Sequence, residues 1–178
     1  MSTFRPTLIS MFMVLCLLVN MGHATDLQQT RSTMDRYLTA QSHWQDNLAA
    51  LLIKNKPEFT ATANAQRDHQ HALIALKRAR FNYLIAHHPE RLDTGELGRF
   101  SNFTWSEADT ESAKAIDAGY KALEEQVARS RAINDGQPDW ETFRHNFRTE
   151  VAPSEEFKLE LSRFQAELEE IKRDGGMK

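Results

Sequence analysis

Residues 48–60 read LAALLIKNKPEFT and decide the fold, because one helical pattern ends within them and another begins. Asn55 and Pro57 are typical of a helix end. Apolar residues at helical spacing predict a first helix from Asp26 to Lys54 and a second from Glu58 to His87. A connection of about three residues forces two such helices to lie antiparallel as a hairpin.

The rest of the chain repeats the helical pattern, and strand-like alternation is nearly absent. A third helix is predicted from the cap residue Ser106 to Ile133, after a long loop over residues 88–105. A short fourth helix is predicted from Asp139 to Val151, and a fifth opens at Ser154 with the most regular apolar stripe of the chain. We therefore predict an all-α fold, an elongated antiparallel helical bundle of four long helices plus one short helix.

The N-terminal residues have the pattern of a secretory signal peptide. A basic start with Arg5 leads into an apolar run over residues 8–19, and small residues precede a cleavage site after Ala24. The apolar run is shorter than the roughly 20 residues that span a bilayer. We predict a signal peptide over residues 1–24, a single helical-bundle domain over residues 25–173, and a disordered tail over residues 174–178.

Composition narrows the classes of function. Cys16 is the single cysteine and lies in the predicted signal peptide, so no disulfide, thiolate nucleophile or thiolate metal site is expected after cleavage. The formal net charge of −3 argues against nucleic acid as a partner. No segment after residue 24 is apolar enough to cross a membrane. These features favour a bacterial protein that is periplasmic or secreted.

Catalytic motifs are absent from the sequence. It contains no G-x-S-x-G elbow, phosphate-binding loop or dinucleotide fingerprint, and no H-E-x-x-H zinc motif. We therefore expect a protein that is not an enzyme.

One arrangement of histidines and aspartates has metal-ligand chemistry. If the turn centres near residue 56 or 57, residues whose numbers sum to about 114 face each other. This register sets His43 level with His71, and Asp46 level with Asp68. Four such ligands could hold Zn²⁺, Cu²⁺ or Ni²⁺. We expect a solvated face with local ion pairs and no bound cofactor, and metal binding is the alternative.

Haem is the other cofactor that helical bundles hold, through a methionine and a histidine. Met34 and His145 lie loosely at the places required, but His145 belongs to the short predicted helix and a full helix follows it. We expect no haem.

Four glutamines occupy positions where the predicted stripes should be apolar. They are Gln41 and Gln45 on the first helix, and Gln66 and Gln70 on the second. Buried amides need hydrogen-bond partners. These residues either set the register of the hairpin or mark a face that is open to a partner.

Aromatic and basic residues concentrate in the long loop and the short fourth helix. Side chains of these types dominate binding hot spots. The candidate binding residues are Phe100, Phe103, Trp105, Trp140, Phe143, Arg144, Phe147 and Arg148. The alternative is that the rings fill the ends of the bundle. We expect a protein that binds a protein or other macromolecular partner, and the pattern leaves a homodimer open.

Overall fold

The computed structural model of this 178-residue chain describes residues 7–177, and it describes side chains from residue 27 onward. That part of the chain is all-helical and contains no strand. Its helices are α1 Thr7–Asn55, α2 Thr60–His87, α3 Leu97–Ser101, α4 Glu107–Ile116, α5 Ala118–Asp135, α6 Trp140–Asn146 and α7 Glu155–Asp174. The predicted signal peptide, residues 1–24, lies outside the residues whose side chains are described. Among the described residues, no helix is both long enough and apolar enough to span a membrane.

The predicted hairpin is formed by α1 and α2. The short 3₁₀ turn Pro57–Phe59 joins them, and the amide of Lys56 closes the last turn of α1 on the carbonyl of Leu52 at 2.8 Å. The Lys77 ammonium lies 5.5 Å from the centre of the Tyr37 ring. Because these two residue numbers sum to 114, the predicted register matches the structure on this face of the hairpin.

The later helices differ from the predicted set. The third predicted helix, residues 106–133, is divided into α4 and α5 because Asp117 has extended backbone angles and its carboxylate caps Gly119. The predicted loop over residues 88–105 contains the short α3. The predicted fourth helix ends in a π-helical turn, Phe147–Val151. Four long helices plus one short helix are therefore not confirmed, although the fold class is.

The hairpin has a neighbour on each side. Helix α7 runs antiparallel to α1, since Arg36 pairs with Asp174 near one end and Lys54 pairs with Glu156 near the other. Between these ion pairs, Trp44 stacks on Phe164 with ring centres 5.2 Å apart. The apolar stripe of α7 therefore packs against α1.

Helix α5 lies on the other side of the hairpin, along α2. Arg80 donates to the hydroxyl of Tyr120 at 3.0 Å, and the His69 ring nitrogen Nδ1 lies 3.0 Å from the Ser130 hydroxyl. The pairing is antiparallel, because the higher-numbered residue on α2 meets the lower-numbered residue on α5. The main helices are therefore arranged in the order α7, α1, α2, α5.

Residues 174–177 form a defined cap where we predict a disordered tail. The amide of Met177 bonds to the carbonyl of Lys172 at 2.9 Å, and the amide of Gly176 bonds to that of Arg173 at 3.1 Å. Gly176 has a φ of 67°. This is the Schellman pattern, which needs a left-handed residue at that position. It turns Met177 back into the core beside Leu38.

We predict that Gly176→Ala lowers the free energy of unfolding by about 1 kcal/mol, because alanine adopts a positive φ only at a steric cost. No atom lies within 4 Å of the added Cβ, so the cost is conformational. Urea denaturation measures it. Gly98→Ala is the matched control: Gly98 lies in α3 without a positive φ, and an added Cβ there is 3.7 Å from the nearest carboxylate oxygen, so stability should be unchanged or raised by up to about 1 kcal/mol. Equal stability of both variants would contradict the cap.

Candidate functional site

The segment between α2 and α4 is held by one ion pair. The Arg91 guanidinium donates to both carboxylate oxygens of Asp109, at 2.8 and 2.9 Å, and to the carbonyl of Thr104 at 3.0 Å. The Asp109 carboxylate also accepts hydrogen bonds from the amide and hydroxyl of Ser106, each at 2.8 Å. These donors hold the pKa of the Asp109 carboxyl far below its usual range, with Arg91 the largest cause. The segment is therefore tied at both of its ends.

Trp105 is fixed by this arrangement between three helices. Its indole donates to the Thr110 hydroxyl at 2.8 Å, and its ring stacks on Tyr120 with centres 5.9 Å apart. Tyr83 meets it edge-on, and the Arg80 guanidinium lies 5.3 Å from its ring centre. The ring is half-buried, so one part of it remains available at the surface.

A groove lies between α2 and this segment, with a volume of about 350 Å³. We call it the α2 groove. Its walls combine apolar, aromatic, basic and small polar side chains: Leu73, Leu76, Lys77, Arg80, Ser101, Asn102, Phe103 and Trp105. Two predicted binding residues, Phe103 and Trp105, belong to it. The groove can therefore offer both ring surfaces and positive charge to a ligand.

The two cations of the groove differ in their pairing. Arg80 lies within 4.0 Å of the Glu124 carboxylate and donates to Tyr120, so its charge is compensated. Lys77 has no carboxylate within ion-pair distance among the described side chains, and its ammonium lies over the Tyr37 ring. Every other half-buried lysine or arginine among the described side chains has an acidic partner. Burial lowers the pKa of the Lys77 ammonium, which is the sign of an uncompensated charge.

The other predicted aromatic residues are largely part of the core. Phe100 is fully buried against Phe81, with ring centres 5.7 Å apart. Phe143 is buried between Trp140 and Phe59, near the turn of the hairpin. Phe59 and Phe81 lie 22 positions apart on α2 and its N-terminal turn, or about 33 Å at 1.5 Å per residue. The structure therefore does not bring the two predicted aromatic groups together.

The predicted binding residues on α6 and the π-helical turn after it form a weaker candidate site than those in the segment between α2 and α4. Phe147 packs edge-on against Phe157 with ring centres 5.5 Å apart. Arg144 lies over the Trp140 ring and pairs with Glu141 at 2.6 Å. Arg148 is exposed and has no acidic partner among the described residues. No groove with an uncompensated buried charge accompanies these residues.

The four predicted metal ligands are only partly brought together. The His71 ring nitrogen Nε2 lies 2.8 Å from the Asp46 carboxylate, across the hairpin. Asp68 instead accepts two hydrogen bonds from Arg67, at 3.0 and 2.8 Å, and His43 is exposed. Within the part of the chain whose side chains are described, no three such residues form a group that could hold a metal. The haem pair is also apart, since Met34 is fully buried in the core and His145 is exposed on α6.

A larger depression, about 550 Å³, lies between α1 and α7. Its half-buried cation is paired, since Arg36 lies within ion-pair distance of Glu170 and Asp174, and its other charged side chains are exposed. It is broad and open, and it has no uncompensated half-buried charge. We therefore place the candidate site in the smaller α2 groove.

No protein-family model matches this chain, and no curated protein or solved structure is significantly similar to it.

Lys77 and Arg80 were missed by the sequence analysis. They belong to the run KRAR at residues 77–80, which looks like an exposed basic turn of a helix. The helical spacing of Leu73, Leu76 and Lys77 could have indicated that Lys77 borders an apolar stripe. Nothing in the sequence indicates that residues 101–105 lie against that stripe.

We predict that Asp109→Asn lowers the free energy of unfolding by about 2 kcal/mol at neutral pH, because it removes charge-assisted hydrogen bonds from a side chain that is 8% exposed. The folded-state pKa of Asp109 is lowered, so its contribution is present above the unfolded-state pKa of about 4 and is lost as the pH falls below it. The difference between the two proteins in urea denaturation should therefore be constant above about pH 5 and shrink in more acidic solution.

Glu155→Gln is the control for this prediction, since Glu155 forms an exposed ion pair with Lys158 that is expected to contribute little. A difference between wild type and Asp109→Asn that grows as the pH falls would contradict the assignment.

Proposed function

We propose that the protein is an exported binding protein without catalytic activity, and that it holds an acidic side chain of a partner polypeptide in the α2 groove. The observation that carries this proposal is Lys77, a half-buried ammonium that has aromatic neighbours and no carboxylate partner in the part of the chain whose side chains are described. A carboxylate from outside the chain would supply the missing counter-charge. The elongated antiparallel bundle and the periplasmic location predicted from the sequence are parts of the same proposal.

The composition of the groove supports a peptide ligand. Phe103 and Trp105 offer ring surface for an apolar side chain, and Ser101 and Asn102 offer polar groups beside it. A groove of about 350 Å³ is at the lower end of the sizes of ligand pockets, so it suits one or two side chains. It would therefore serve as an anchor within a larger contact.

Metal binding remains the alternative proposal, and it rests on the contact between Asp46 and His71. Two ligands of this kind leave a zinc ion without the four that structural sites use. Partner binding has the stronger support, since its site has a groove, a charge and an aromatic wall in one place.

We predict that the capped dipeptide acetyl-Phe-Asp-amide binds the protein in the millimolar range and shifts the indole resonance of Trp105 in NMR titrations. Lys77→Gln should weaken this binding at least about fivefold, because a charge-assisted contact is lost. Lys121→Gln is the matched control: it makes the same charge change at an exposed lysine of α5 that has no acidic partner among the described residues.

The neutral analogue acetyl-Phe-Asn-amide should bind more weakly than the acidic dipeptide. Equal affinities of the two dipeptides for wild type, or equal affinities of wild type and Lys77→Gln for the acidic one, would overturn the proposed site.

A further inference from the structure

Three glutamines continue from the α2 groove along the same face of the hairpin. Gln45, Gln66 and Gln70 are half-buried, and none of their side-chain amides makes a hydrogen bond within the described residues. Gln41 differs from them, since its amide donates to the Tyr37 hydroxyl at 2.7 Å. We call the three unpaired residues the glutamine row.

The register of the hairpin brings the row together. Tyr37 meets Lys77, so positions whose numbers sum to about 114 are level on this face. Gln45 is therefore level with Gln70, and Gln66 is level with Leu48. Steps of four and three residues lead from Gln66 through Gln70 to Leu73, which lines the α2 groove. The row and the groove therefore form one continuous strip.

Helix α5 reaches the groove end of this strip, where Arg80, Leu73 and Leu76 pack toward it, but no hydrogen bond within the described residues joins either neighbouring helix to the glutamine row. Helix α7 contacts α1 through Arg36, Trp44 and Lys54, and α5 contacts α2 through His69 and Arg80. Apart from Arg80, which also lines the α2 groove, these positions lie on the outer sides of the pair in the helical repeat. The unpaired amides are consequently left with water as their only other partner.

The chemistry of the strip fits the main chain of a polypeptide. A primary amide has two N–H donors and one carbonyl acceptor, which can pair with the C=O and N–H of a peptide unit. Leu48 and Leu73 lie beside the amides and are half-buried: each packs on one side against an apolar cluster of the protein, and its exposed part can meet an apolar side chain of an extended chain. A sugar would place hydroxyl groups against the same two leucines, and those hydroxyls would have no hydrogen-bond partner there.

The length of the strip sets the length of the ligand. Lys77 and Gln66 are 11 positions apart on α2, or about 16 Å at 1.5 Å per residue. An extended chain rises about 3.3 Å per residue, so about five residues span the same distance.

We propose that the glutamine row binds the backbone of an extended segment of about five residues, whose acidic side chain occupies the α2 groove. This inference rests on the proposed function and names its ligand: an extended, acidic, apolar segment of a partner polypeptide. Because the glutamine row would bind the main chain of the ligand, it would accept ligands of different sequence. Lys77 would select those that carry an acidic residue.

The test compares a long peptide with a short one. The probes are acetyl-Phe-Asp-amide and acetyl-Ala-Val-Ala-Phe-Asp-amide, and the measurement is the ratio of their dissociation constants by NMR titration. The longer peptide should bind wild type at least about tenfold more tightly. Gln70→Ala and Gln66→Ala should each reduce this gain about threefold, the usual effect of one lost hydrogen bond. Gln165→Ala, at an exposed position of α7, should not reduce it.

A second measurement uses only the wild-type protein, so it does not depend on how a variant folds. In the ester analogue of the longer peptide, the two amides before the phenylalanine are replaced by esters, which removes two N–H donors. We expect the ester analogue to lose most of the gain.

The outcomes separate the two proposals. If the dipeptide binds through Lys77 but the longer peptide gains nothing, or if the ester analogue keeps the full gain, the row is overturned and the proposed function stands. If neither peptide binds at millimolar concentration, both are overturned. Tighter binding of a galacturonic acid pentamer than of the pentapeptide would overturn the polypeptide assignment.

Discussion

The ion pair between Arg91 and Asp109 is the interaction on which the candidate site depends. The segment it ties contains Gly95 and Gly98, and its regular structure is limited to the 3₁₀ turn Pro89–Arg91 and the five-residue α3. The bidentate contact fixes this segment against the start of α4, and the carbonyl of Thr104 is held by the same guanidinium. Phe103 and Trp105 therefore form a wall of the groove because a charged pair outside the groove holds their backbone.

The helices could be predicted because their signals are local. The stripes, the turn at Pro57 and the caps at Ser106 and Ser154 all depend on residues within a few positions of one another. The interruption at Asp117 was missed because the apolar positions of α4 and α5 keep helical spacing across it. Its cause is a side chain that caps the following turn, and that signal is weak beside a strong periodic pattern.

The site could be predicted only in part, because burial depends on what packs on each residue. Phe100 and Phe103 are three positions apart and have the same side chain, yet the first is fully buried and the second lines the groove. For the metal ligands, the predicted register is right to within a helical turn, and Asp46 and His71 do meet. Asp68 pairs instead with its neighbour Arg67, which supplies a nearer partner than the opposite helix does.

The order of the helices also bears on how the chain reaches this structure. The α1–α2 hairpin joins neighbours in sequence, so it can form early, whereas the contact between α1 and α7 closes a loop of more than one hundred residues. During synthesis from the N-terminus, Trp44 and the surrounding apolar stripe of α1 stay uncovered until Phe157 and Phe164 have been made. For most of its synthesis, the nascent chain therefore presents an aromatic surface of the kind that chaperones bind and that promotes aggregation.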